Sequence, residues 1–319
     1  MHLKTLDEQE LVTEDSTQIP DMSIVLVCWN NKEYLDPCLS SLYQGDIKHT
    51  FDVFVIDNGS TDGSQAMLRE KYPEIKIIQN DHNVGLAKAC NQGIQNSNGR
   101  TILLLNNDTL VDGNSLDKLV EFMLKTPDAG GAGGKLLNPD KSFQAGYANF
   151  STLSEEFFIS TGIGNLIWEG YPSHIDDGKI RVVDWLSSAC LLLRRSALDQ
   201  VGLLDEEFFI YGDEADLQYR LKNAGWSIYY LPDSVTIHYG GRSMNRWRRR
   251  RLVYRGKMLF YQKNYGALKT SALRLMLAGL SLAKLGVWSL LYLVPEKRVR
   301  AGQELKSNMD VIGLCWKLE

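Results

Sequence analysis

The stretch 101-TILLLNNDTLVD-112 passes from a buried strand to a polar knot within one residue. Ile102, Leu103, Leu104 and Leu105 form an apolar run of core-strand length, and Asn106, Asn107 and Asp108 follow at once. Asn and Asp bond their own backbone, so the knot reads as a turn. It also reads as a ligand site, because open α/β sheets bind ligands outside the carboxyl ends of their strands.

The flanking sequence repeats the pattern. SIVLVCW (23–29) is a continuous apolar run followed by a helix from about Glu33 to Tyr43. FDVFVID (51–57), IKIIQN (75–80) and TILLL (101–105) alternate with helical segments, and the last of these helices places Leu116, Leu119, Val120 and Met123 on one face. Strands separated by helices of this length predict βαβ units and a mostly parallel sheet flanked by helices. Beyond Leu137 the rhythm breaks, and residues 138–184 read as irregular structure with short strands. A strand at CLLLRR (190–195), a helix at SALDQVG (196–202), a helix at EADLQYRLKNAG (214–225) and a strand at WSIYYLP (226–232) then resume the order. In a parallel sheet the endings Trp29-Asn30-Asn31, Asp57-Asn58-Gly59-Ser60 and Asn106-Asn107-Asp108 all fall on one edge, which favours a shared ligand site over three separate turns.

The chemistry of that edge narrows the ligand. Neither a GxGxxG fingerprint nor a GxxxxGK[ST] loop follows the first strand. Asp57 suits a base or ribose, and Asp108 is a hard oxygen ligand suited to Mg²⁺ or Mn²⁺, which neutralises a diphosphate. A nucleotide diphosphate held through a metal rather than a P-loop points to a nucleotide-sugar.

These motifs resemble family-2 inverting glycosyltransferases of the GT-A fold, closest to the rhamnosyltransferase-like branch. The donor half of that family is matched by SIVLVCWNNKEYLDPCLSSL (23–42), FVIDNGSTDGS (54–64), NDHNVGLAKACNQGI (80–94) and ILLLNNDTLVD (102–112). The acceptor half is matched by the segment from Val183 to Trp226 and by VTIHYGG (235–241). The resemblance implies a donor half over about 22–137, an acceptor half over about 138–266, and a nucleotide diphosphate sugar as donor, dTDP-rhamnose ahead of UDP-hexoses. It implies that Asp57 contacts the nucleobase beside Asn30, that Asn107 and Asp108 lie at the nucleotide-sugar, and that Asp108 and His238 bind metal. The family's acidic group reads here Asp213-Glu214-Ala215-Asp216, which assigns the catalytic base to Glu214, with Asp213 as the alternative. Trp185, Ser187, Ser188, Ala189 and Asp216 fall to the acceptor side. Two departures stand out: Asn106 and Asn107 replace acids common in relatives, and the acidic pair is swapped in identity.

Composition bounds the rest. Of 319 residues, 44% are hydrophobic and 23% charged, ordinary for a soluble globular chain. Cys28, Cys38, Cys90, Cys190 and Cys315 are odd in number, lack CxxC spacing and read as reduced core residues. Residues 1–21 are polar and acidic, without a signal-peptide core, and read as a flexible tail on a cytosolic protein. From Arg242 to Arg300 there are 15 Lys and Arg against one acid, Glu296. The segment ALRLMLAGLSLAKLGVWSLLYLVP (272–295) is apolar but interrupted by Arg274 and Lys284, each costly at a bilayer centre. A basic, apolar helical region over 267–319 lying on the inner membrane face is therefore expected, with packing against the domain as the structural alternative. A basic run with interleaved aromatics also admits nucleic acid, which nothing else in the chain supports.

The function expected is transfer of a sugar to a saccharide or lipid-linked saccharide acceptor in cell-surface polysaccharide synthesis. One rival is a sugar-phosphate nucleotidyltransferase, which calls for a basic Gly-rich loop that CWNNKEYLDPC (28–38) does not offer. The other is a non-catalytic carbohydrate-binding module. Tyr147, Trp168 and Tyr171 are candidates for stacking on a sugar, with packing as the simpler role.

Overall fold

Two apolar runs of the chain, Met22–Cys28 and Thr101–Asn106, lie side by side and parallel. Burial on both faces explains their composition, because successive side chains of a strand point to opposite sides. Ile24, Leu26, Leu103 and Leu105 enter one core, and Val25, Ile102 and Leu104 enter the other.

The computed structural model describes residues 19–167, 177–240 and 246–316. The tail expected over 1–21 lies outside the described residues up to residue 18, as do Trp168, Tyr171 and Arg242. In chain order the elements are β1 (Met22–Cys28), α1 (Lys32–Gln44), β2 (Phe51–Asp57), α2 (Ser64–Lys71), β3 (Lys76–Gln79), α3 (Leu86–Asn96), β4 (Thr101–Asn106), β5 (Thr109–Val111), α4 (Gly113–Lys125) and β6 (Ala129–Leu137). Next come β7 (Phe143–Gln144), β8 (Tyr147–Ala148), α5 (Leu153–Thr161), α6 (Gly164–Ile167), β9 (Arg181–Val183), β10 (Trp185–Leu186), β11 (Cys190–Arg194), α7 (Arg195–Val201), α8 (Asp213–Asn223) and β12 (Ser227–His238). Three helices follow: α9 (Arg246–Asn264), α10 (Gly266–Tyr292) and α11 (Arg298–Trp316).

The main sheet runs β3-β2-β1-β4-β11-β6-β12-β5. The first four strands are parallel, as is the pair β6–β12, whereas β11 is antiparallel to both its neighbours and β5 is antiparallel to β12. The helices α1 and α4 cover one face, with Leu116, Leu119, Val120 and Met123 inward as their spacing predicts, and α3, α7 and α8 cover the other. All five cysteines are free and buried.

Three elements depart from expectation. The short β5 leaves the polar knot and pairs with β12, a partner distant in sequence. The strand read as ending at Pro232 continues to His238, because Pro232 falls in the register break between Leu231 and Val235, where a ladder N–H is not needed. The stretch read as irregular contains α5, started by a capping box in which Thr152 and Glu155 bond each other's backbone.

The C-terminal helices do not form a detached unit. Met258, Phe260 and Tyr261 of α9, Leu273, Leu277 and Ala278 of α10, and Val311 and Cys315 of α11 share one core with Phe208. Lys257 of α9 pairs with the fully buried Glu156 of α5 at 2.7 Å, and Asn264 donates to Asp216 of α8 at 2.8 Å. A boundary at Gly266 would cut through this packing. Tyr147, 2% exposed, is a core residue packed on Tyr230.

Candidate active site

Because β1 pairs with β2 on one side and β4 on the other, the polar endings of these three strands meet at a single sheet edge. A cleft of about 1490 Å³ opens there, walled on the far side by the start of α8, by α5 and by α9. Of the residues expected to form a site, Asn107, Asp108, Trp185, Ser188, Glu214 and His238 line it.

Asn30 and Asp57 are not among the residues lining this cleft; both are held in the turns behind it. Asp57 is fully buried; both its oxygens accept from the Ser60 N–H at 3.3 Å, and one accepts from Gln65 Nε2 at 2.6 Å. Asn30, at φ 50°, donates its N–H to Ser60 Oγ and accepts from the Thr61 N–H at 2.7 Å. Together they stitch the first strand ending to the second. What faces the cleft from these endings is Trp29, Asn31 and Asn58. Asn58, 2% exposed, accepts from the Val84 N–H and donates to Asn83 and Gly85, tying β2 to the 80–85 loop. Asn31 Nδ2 donates to Asn107 Oδ1 at 2.7 Å, joining the first ending to the third.

Asp108 and His238 are brought together by main-chain pairing, since β5 and β12 set Thr109 opposite His238. His238 Nε2 lies 3.3 Å from Asp108 Oδ1. The amide nitrogen of Gln144 is committed to His238 O and Asn138 Oδ1, so its Oε1 faces His238 Nδ1 at 2.6 Å, and Nδ1 must be the donor. In a neutral imidazole this leaves the Nε2 lone pair free for a cation, on the side where Asn106 Nδ2 approaches Nε2 at 3.2 Å. Two ligands each about 2.1 Å from one divalent cation, at right angles, stand about 3 Å apart. The pair therefore fits a metal in donor type and spacing, with a supporting residue that fixes the imidazole tautomer. Among the described residues no group of three or more His, Cys, Asp or Glu converges. Such a pair leaves the other coordination positions to water and ligand oxygens, as Mg²⁺ sites at phosphates do.

The acidic group at α8 separates into three environments. Glu214 lines the cleft and accepts from the Gly212 N–H at 3.2 Å. Asp213 is 1% exposed with Oδ1 unbonded; burial, then the adjacent Glu214 charge, push its carboxyl well above the usual range. Asp216 is 2% exposed and held by Arg220 Nε at 2.9 Å as well as by Asn264, so it fastens α8 to α9.

Sequence reasoning missed the contribution of α9, which carries Arg248, Arg249 and Lys257 to the cleft, Arg249 lying over the Tyr211 ring. Close approach is possible because Gly256 sits against the Tyr211 carbonyl, where a Cβ would be only 2.1 Å from the oxygen. It also missed Gln218, whose amide bonds both backbone groups of Leu186 at 2.8 Å and so fixes Trp185 against α8.

Known proteins are similar to this chain in sequence or in fold. An N-acetylglucosaminyl-diphospho-decaprenol L-rhamnosyltransferase from Mycobacterium tuberculosis is 28% identical over 246 residues, covering 70% of this chain and 78% of that one. A mannosyltransferase from Pyrobaculum calidifontis in complex with GDP-Man and Mn²⁺ superposes with a TM-score of 0.58 at 14% identity, covering 95% of this chain and 89% of that one. A GalNAc transferase structure with UDP, GalNAc and Mn²⁺ gives 0.55 at 18% identity, over 77% and 51%. These structures share the GT-A fold. The family model described as "Glycosyl transferase family 2" matches residues 23–202, from the first strand of the cleft to the helix after β11. Over half the chain thus answers to one family, and the protein belongs to glycosyl transferase family 2 as a glycosyltransferase.

Proposed function

We propose that the protein transfers a sugar, with inversion, from a nucleotide diphosphate donor to a hydroxyl of a saccharide or lipid-linked saccharide, at the cytoplasmic face of the cell membrane, in cell-surface polysaccharide synthesis. The observation that carries this reading is that Glu214, at the start of α8, lines the same cleft as the Asp108–His238 pair. L-Rhamnose is favoured as the sugar, carried by dTDP ahead of UDP. Its support is the similarity to a rhamnosyltransferase acting on a diphospho-decaprenol acceptor.

In this mechanism Glu214 accepts the proton of the acceptor hydroxyl as that oxygen attacks the anomeric carbon. The bond from that carbon to the diphosphate oxygen breaks on the opposite side, releasing the nucleoside diphosphate. Burial, then the charge of the adjacent Glu214, pushes the Asp213 carboxyl above the usual range. Asp108 and His238 would hold Mg²⁺ or Mn²⁺, which would supply charge neutralisation to the leaving diphosphate. Asn107, fixed by Asn31, lies beside that group, and Arg249 adds positive charge to the same cleft. Trp185 and Ser188 line the acceptor side. Asp57, with Asn30 beside it, is assigned to the nucleobase by the family resemblance, and the turns they brace hold them at the strand endings.

A panel of dTDP-, UDP- and GDP-sugars, assayed for nucleoside diphosphate release with and without a polyprenyl-diphosphate-linked saccharide, tests this reading. Release from dTDP-rhamnose that rises with acceptor is expected. Turnover of another donor alone would refute the sugar, and release from none would refute the chemistry.

A further inference from the structure

We infer that the outward face of α10, with the turn that follows it, is a docking surface for an anionic phospholipid bilayer. The inference extends the location proposed above and is separable from the chemistry. The helix is apolar on two opposite sides. Leu273, Leu277 and Ser281 are buried against the protein. At 100° per residue, Leu268, Leu275, Leu282, Leu290 and Leu293 fall within an opposite arc of about 80°. These five are 85%, 62%, 60%, 70% and 72% exposed.

Beyond Lys269, every exposed position of α10 is uncharged: besides these leucines there are only Ser, Gly, Ala, Val and Tyr. A water-facing helix would carry charge there. The two cations that argue against membrane contact point to the protein side. Lys284 Nζ donates to Ser160 O at 2.6 Å, and Arg274 reaches Gln262 Oε1 at 3.3 Å. The helix is long enough to span a bilayer. Its inner side, however, is packed on α9, α11 and α5, so the geometry is that of a helix lying in the interface.

Charge specifies the occupant. The turn after α10 exposes Val294 and Val299 among Lys297, Arg298 and Arg300, against the single carboxylate of Glu296. Arg298 lies over Tyr292 and Arg300 over Trp288, an aromatic pair of the kind found at headgroup level. Leucines flanked by exposed cations match acyl chains beneath anionic headgroups. The helix α5 links this surface to chemistry: Phe158 and Ile159 line the cleft, while Ser160 holds Lys284.

The test is co-sedimentation of the full chain with vesicles of phosphatidylcholine alone or with equimolar phosphatidylglycerol. Binding to the anionic vesicles, weakened by salt, is expected. The pair Leu282→Glu and Leu290→Glu should reduce it by about 10²-fold or more, since each leucine gives up its burial. The pair Lys297→Glu and Arg298→Glu should reduce it by about 30-fold or more on anionic vesicles and little on neutral ones. Melting temperature and donor hydrolysis should stay unchanged in both. Full-chain protein that ignores both vesicle types, leucine variants that bind as wild type, or a stable dimer that the leucine variants dissociate, would overturn the inference.

Discussion

Replacing Gly256 with alanine tests whether α9 is part of the catalytic machinery rather than a neighbouring prop. The added Cβ would stand 2.1 Å from Tyr211 O and 3.0 Å from Tyr211 C, where real Cβ contacts essentially never fall below 3.0 Å. The obstacle is backbone, so no side-chain rotation relieves it, and a movement of about 0.9 Å is the least that suffices. Tyr211 already sits at φ 65° and Gly212 at φ 97°, leaving the turn into Asp213 and Glu214 little freedom to yield. Overpacking of this kind costs about 1–3 kcal/mol. A catalytic group displaced by about 1 Å loses about 10² in rate. Turnover should therefore fall by that order while circular dichroism shows the fold retained at a lower melting temperature. Gly279→Ala is the control: nothing lies within 4 Å of its Cβ, and alanine is the better helix former by about 1 kcal/mol. Unchanged turnover and melting temperature in Gly256→Ala, or an equal loss in Gly279→Ala, would refute the reasoning.

Glu214→Gln should lower turnover by about 10²–10⁴ with donor binding near normal, while Asp213→Asn retains most activity; the reverse ranking would move the base to Asp213. Asp213 also predicts a pH dependence of stability. A carboxyl that holds its proton more tightly folded than unfolded adds stability that is complete below the unfolded pKa, about 4, and is lost as pH rises through the raised folded value. Denaturant titrations across that range should show wild type losing stability relative to Asp213→Asn, and parallel profiles would refute the buried proton. Asp108→Ala should abolish divalent-dependent turnover, and full activity in EDTA would count against the metal site. Gln144→Leu should weaken Mn²⁺ binding by about 10–100-fold, read by titration with nucleoside diphosphate present, because His238 Nδ1 loses its acceptor; unaltered affinity would show that the tautomer is fixed otherwise.

The donor side was legible because its signals are local. Unbroken apolar runs announce strands buried on both faces, and the polar residue after each run marks the edge where ligands gather. Asn30 and Asp57 show the limit of that logic. The same residue types serve a turn or a ligand, and only the positions of Ser60, Thr61 and Gln65 reveal the turn. The strand ending brought Asp108 to notice and the family resemblance Glu214 and His238, but nothing in their spacing reveals that Gln144 orients the imidazole. The helix α5 carried its own sign in the Thr152–Glu155 capping box, obscured by the Gly-rich and aromatic sequence around it. The face that α10 presents to the domain was unreadable because the helix is apolar all round; Lys284 resolves it through a hydrogen bond to Ser160, far away in the chain. That packing revises one expectation directly: a chain cut at Gly266 would uncover Met258, Phe260 and Tyr261 and lose stability.

The meeting of β5 with β12 has a meaning in time as well as in space. Asn106 and His238 are 132 residues apart, and Asp108 waits almost as long for its imidazole neighbour. The ribosome delivers the carboxylate early and the histidine late, so a nascent or clipped polypeptide ending before β12 has the strand endings of the donor side and only half of the cation-binding pair. Completion of the pair thus waits for the last strand of the sheet, because Asp108 meets His238 only when the three-residue β5 pairs with the end of β12.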